Sequence, residues 1–125
     1  MKKTVKDIIG AVNLLKPNEF APEQLTAWLN EVEGTVQSRI CRIDPSSAGF
    51  RTYDYAVDEN SEAIVPPPYD VLYVYYLMAK IDLAYEDYDK YANDGNLYNA
   101  AFNDYAKWHQ RTFNHLSREV NNADV

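Results

Sequence analysis

Val5, Ile8, Ile9, Val12 and Leu15 recur at helical spacing and give one apolar face to a helix over about 5–16. Thr4 stands where it can cap that helix, and Asp7 follows at the capping-box position. Pro17 and Asn18 stop it. Leu25, Trp28, Leu29, Val32, Val36 and Ile40 form a second stripe, which predicts a helix over about 22–42. Pro22 suits its first turn, Glu23 complements the positive end of its dipole, and Arg42 lies near the negative end. No such repeat runs through 43–68, which holds Pro45, Gly49 and the run Pro66-Pro67-Pro68. Phe50 to Tyr55 alternates in part and allows a short strand or β-hairpin there. Connections this long are uncommon in compact domains, so a protruding contact loop and a disordered excursion both fit. The prolines are expected to stiffen the re-entry as a short polyproline segment.

From Asp70 the helical pattern returns and is predicted to run to Asp94. Leu72, Tyr76, Ala79 and Leu83 make one row, and Tyr73, Leu77 and Ile81 broaden it. An apolar surface so wide implies more than one packing neighbour. Asn93-Asp94-Gly95-Asn96 reads as a turn, with Gly95 closing one helix and Asn96 capping the next. A last helix over about 97–120 carries Tyr98, Phe102, Tyr105, His109, Phe113 and Leu116. A short turn makes the last two helices antiparallel neighbours. The predicted fold is all-α: a single four-helix, bundle-like domain over 1–125 with a long hairpin formed by its third and fourth helices.

The chain has 125 residues, 46% hydrophobic and 25% charged, which is a globular composition. Its 11 tyrosines combine an apolar ring with a polar tip, suited to core edges and to interfaces. A net charge of -7 argues against tight phosphate binding, and neither Lys2, Lys3 and Lys6 nor Arg39 and Arg42 offset the acidic run Glu86-Asp87-Tyr88-Asp89. Cys41 is the only cysteine, so no intramolecular disulfide is possible. Met1-Lys2-Lys3 is not followed by an apolar core of signal-peptide type, and no window approaches a membrane span. An acidic polar face also disfavours binding to a membrane surface. These features lead to the expectation of an intracellular protein.

Candidate chemistry is sparse. His109 and His115 are spaced so that they do not share a helix face as paired metal ligands would. Arg39 and Arg42 flank Cys41 and would favour its thiolate, yet no histidine is evidently paired with it. A packed cysteine and a packed histidine are the plainer readings. The glycines at 10, 34, 49 and 95 form no phosphate loop, and the oxygen donors at 93–96 lack the rest of a calcium-loop pattern. No catalytic, metal or cofactor residue is therefore expected, and the chain is not expected to be an enzyme.

Helix two reads LTAWLNEVEGTVQSRI, and later come Val65-Pro66-Pro67-Pro68-Tyr69-Asp70, Tyr75-Tyr76-Leu77, Ala79-Lys80-Ile81-Asp82, Tyr98-Asn99-Ala100-Ala101-Phe102 and Trp108. This text resembles small structural proteins of tailed phages and prophages of Gram-positive bacteria, similar in size and helical layout to head–tail connector (adaptor, or head-completion) proteins. The resemblance implies a homo-oligomeric ring on the portal vertex, with the portal protein and a stopper or tail protein as partners. It places the chain in the virion neck, and in the host cytoplasm before assembly. DNA would pass nearby without being gripped, past an acidic face. Phe50, Tyr53, Tyr55, Pro66, Pro67, Pro68, Tyr73, Tyr85 and Tyr88 are the candidate subunit or partner contacts. The alternatives are another neck or tail-completion protein, a helical module that binds a peptide, and an enzyme built on His109 or Cys41.

Overall fold

The first apolar repeat forms α1 (Val5–Leu15), opened by the expected capping box: Asp7 N–H donates to Thr4 Oγ1 and Thr4 N–H donates to the Asp7 carboxylate, both at 3.1 Å. In the computed structural model the described residues are 1–123 for the backbone and 1–113 for the side chains. The predicted interactions of Leu116, and His115, lie outside the described side chains. Pro22 starts α2 (Pro22–Thr35), which widens into a π-helical turn over Val36–Ile40. A one-turn helix α3 (Tyr55–Asp58) follows, then α4 (Val71–Ala84) and α5 (Tyr88–Ala123).

The fold is all-α and bundle-like, with α4 and α5 packed as a long hairpin. Val5, Ile8, Ile9 and Val12 of α1 meet Leu25, Leu29 and Val32 of α2, and Leu72, Tyr73, Leu77 and Ile81 of α4, in one buried core. Each such aliphatic side chain taken fully out of water contributes about 1.5–3 kcal/mol. α4 lies at the centre, packed on α1, α2 and α5. That arrangement accounts for the breadth of its apolar surface.

The hairpin turns earlier than the sequence predicts. α4 ends at Ala84, and Asn93-Asp94-Gly95-Asn96 sits inside α5. Glu86 takes the left-handed conformation (φ 60°). Asp87 N–H donates to the Asp82 carbonyl and Glu86 N–H to that of Leu83, at 2.9 and 3.0 Å. This is a Schellman closure with glutamate in the position usually given to glycine. Asp94, buried against Lys16, holds the helix through the glycine–asparagine stretch. Tertiary pairing there overrides local turn propensity.

The connection between α2 and α4 is neither a protrusion nor a β-hairpin over its second half. No strand occurs among the described residues; Thr4 and Glu62 form one isolated antiparallel bridge. Instead, α2 holds 51–65 with a polar row. Asn30 exchanges two hydrogen bonds with the Tyr53 backbone (2.9 and 2.8 Å), and Gln37 exchanges two with that of Arg51 (2.8 and 2.7 Å). Between them Glu33 accepts from Ile64 N–H at 3.0 Å. The same segment completes α1, because Val5 and Lys6 N–H, which have no partner within the helix, donate to the carbonyls of Ser61 and Glu59. Pro66 to Pro68 form a tight turn closed by Tyr69 N–H to the Pro66 carbonyl at 3.0 Å, and not an extended polyproline segment; the Pro67–Pro68 bond is cis.

Candidate functional site

Three polar or aromatic constellations stand out, and two of them are internal. The first surrounds Glu33, which is fully buried. Its carboxylate accepts from Tyr53 Oη at 2.7 Å, Tyr73 Oη at 2.5 Å and Ile64 N. Tyr73 Oη in turn accepts from Val65 N–H at 2.9 Å. Burial, then the charge of Glu33, pushes both phenols far above their ordinary pKa, so they remain proton donors. This centre is fully hydrogen-bonded and closed, and its geometry holds chain segments together.

The second centre joins three helices. Lys16, just past the end of α1, bridges Asp82 of α4 and Asp94 of α5; its ammonium lies 2.8 Å from Asp94 and also contacts Asp82. Burial, then the hydrogen bond to Asp94, raises Asp82 to about 6 in spite of the lysine. Burial acts on Asp94 in the same sense, but Asp82 and Lys16 outweigh it and hold that carboxyl below its usual value. Two carboxyls held this close beside one lysine titrate together and not independently.

The third constellation is exposed. Because Lys16 reaches Asp82 and Asp94, the end of α1 lies beside the α4–α5 turn. Leu14 (82% exposed) and Leu15 therefore share an end of the molecule with Leu83, Tyr85, Tyr88 (62% exposed) and the acids Glu86, Asp87 and Asp89. Far along α5 from this tip, a groove of about 480 Å³ is lined by Arg39, Ile40, Cys41, Arg42, Ala106, His109, Gln110 and Phe113. Arg42, which ends the π-turn, has φ 59°. His109 stacks on Phe113 with ring centroids 4.4 Å apart and meets Tyr105 edge-on.

The candidate contact residues separate accordingly. Tyr53 and Tyr73 are core residues committed to Glu33, and they present no surface to a partner. Phe50 is half-buried over Gly34, whose added Cβ would lie 3.4 Å from its ring. Tyr55 and Pro66 are half-buried, and Pro67 and Pro68 are exposed at the turn into α4. Tyr85 and Tyr88 are exposed at the hairpin tip, although Tyr85 also packs on Phe20 and accepts from Glu19 N–H. Burial pushes the Cys41 thiol up, against the direction that flanking arginines alone would give. Burial lowers the pKa of His109. Among the described residues no group of three or more His, Cys, Asp or Glu is placed to hold a metal ion. No described helix is long and apolar enough to cross a membrane.

Sequence reasoning missed the polar row Asn30, Glu33 and Gln37 and the Lys16–Asp82–Asp94 centre. The row had one legible signal: three polar side chains at spacings of three and four on the flank of an apolar helix. No family model, curated protein or solved structure matches the chain.

Proposed function

We propose that this chain is a non-enzymatic assembly protein of a phage or prophage virion, acting as a head–tail connector in a ring on the portal vertex. The observation that carries the reading is the tip at the α4–α5 turn, where Leu83, Tyr85 and Tyr88 are exposed beside three acids, with exposed Leu14 and Leu15 at the end of α1 that Lys16 ties to α4 and α5. Exposed apolar clusters with a polar rim mark contact surfaces. The phage-like motif text in helix two and in 65–113 supports the same assignment. The polar centres around Glu33 and Lys16 contribute rigidity, which a ring subunit loaded by its neighbours requires. DNA slides past such a ring without being gripped, consistent with a net charge of -7.

A helical module that binds a peptide is the second reading, favoured by the groove between the π-turn and α5. Co-expression with the portal protein of the same genome separates the two. Retention of this chain on an affinity-tagged portal through purification is the expected result. A portal that purifies alone would remove the connector assignment.

A further inference from the structure

We infer that the groove between the π-turn and α5 receives the acidic hairpin tip of a second copy of this chain. The inference names the subunit contact within the assembly reading and rests on that reading for its biological setting. Among the described residues the groove lining contains two arginines, a histidine and a phenylalanine, and no acid. Arg39 and Arg42 are exposed, and neither forms an ion pair among the described residues. They form a local cationic surface on a chain whose net charge is -7. The tip offers the opposite chemistry: Glu86, Asp87 and Asp89, with only Lys90 against them among the described residues, at 3.5 Å from Asp87, and the exposed rings of Tyr85 and Tyr88. Arginine pairs with carboxylates through its planar fork and stacks on aromatic faces, so both features of the tip match it. Phe113, 48% exposed at the groove edge, adds an apolar contact for a tyrosine ring.

The backbone of the groove is itself unusual. The π-turn is closed by Cys41 N–H to the Val36 carbonyl at 3.0 Å, and Arg42 follows with a left-handed φ of 59°. Widened helical turns and left-handed non-glycine residues concentrate at functional sites. Here they turn the chain so that both arginines flank one cleft.

A molecule cannot satisfy its own groove. The tip lies at the start of α5 and the groove beside its later turns, and from Tyr88 to His109 α5 rises about 30 Å. The contact must therefore be made between copies, tip to groove, and such a head-to-tail contact closes into a ring when the rotation between copies permits. Charge complementarity also sets the register and suppresses tip-to-tip pairing, where six like charges would meet.

Sedimentation of the full chain over a concentration range, at low and at high salt, tests this. The wild type is expected to self-associate at low salt and to dissociate as salt screens the contact. A groove variant, Arg39→Glu with Arg42→Glu, and a tip variant, Glu86→Lys with Asp89→Lys, should each remain monomeric where the wild type associates. An equimolar mixture of the two should associate again, because the basic tip of one variant meets the acidic groove of the other. That return also shows that both variants are folded. A wild type that stays monomeric at its highest concentration in low salt overturns the inference, as does association that survives either reversal or a mixture that does not associate. Portal binding is read separately: a chain that still binds the portal with this contact refuted keeps the connector assignment, and one that self-associates but ignores the portal loses it.

Discussion

Tyr73 of α4 donates its hydroxyl proton to Glu33 of α2 across 2.5 Å in the buried core, while the same hydroxyl oxygen accepts from Val65 N–H. Two helices and the end of the connection meet at one carboxylate, with Tyr53 and Ile64 as its other donors. Glu33→Ala leaves these buried donors without an acceptor, each at a cost of about 1–3 kcal/mol, so a loss of at least about 3 kcal/mol is expected. Tyr73→Phe should cost less, since Glu33 keeps two donors and only Val65 N–H is orphaned. Urea unfolding gives the magnitudes. Amide hydrogen exchange should show protection lost at Ile64 and Val65 in the alanine variant ahead of the helical core.

The turn and the glycine inside α5 make a second pair of tests. Gly95 lies in the helix interior, and an added Cβ meets nothing within 4 Å. Gly95→Ala should therefore raise stability by about 0.5–1 kcal/mol. Were 93–96 the turn, with Gly95 in its left-handed position, the same substitution would lower stability. Glu86→Gly should also stabilise, by up to about 1 kcal/mol, because glycine takes the left-handed position without a side-chain clash. Thermal unfolding of both variants checks the signs.

Asp82 gives the protein a definite pH dependence. Its folded pKa of about 6 lies above the usual 3.8, so the folded state holds a proton that the unfolded chain has released. Stability from this group is fully present below the unfolded value and is lost as pH rises through about 6. Asp94, shifted downward, contributes in the opposite sense, and only as pH falls below its usual 3.8. His109, lowered by burial, titrates in the same range with the opposite sign, so Asp82 is read from the difference between wild type and Asp82→Asn, in which His109 is common to both. The wild type should lose stability relative to Asp82→Asn as pH rises from about 4.5 to about 7. Urea midpoints of the two proteins across that range check the sign, and parallel curves would contradict the raised pKa of Asp82.

Periodicity made most of the fold legible. The stripes of α1, α2 and α4 are the core, and Thr4–Asp7 and Pro22 open helices where capping rules place them. What periodicity could not convey was long-range polar pairing. Asn93-Asp94-Gly95-Asn96 has every local mark of a turn, yet Asp94 is held by Lys16, 78 positions away. The true turn carries glutamate at its left-handed position and gives no glycine signal. Likewise, nothing within 43–68 shows that it is ordered, because its partners are Asn30, Glu33 and Gln37 on the preceding helix. Tyr53 and Tyr73 were readable as contact tyrosines only while that burial was hidden. Tyr85 and Tyr88 are exposed at the tip, whose acidic neighbours stand together in the sequence.

The connector role is tested most directly by electron microscopy of the complex purified after co-expression with the portal protein of the same genome. A ring of this chain stacked on the portal, with copies in contact side by side, is the expected result. A bare portal ring, with this chain monomeric beside it, would contradict the assignment.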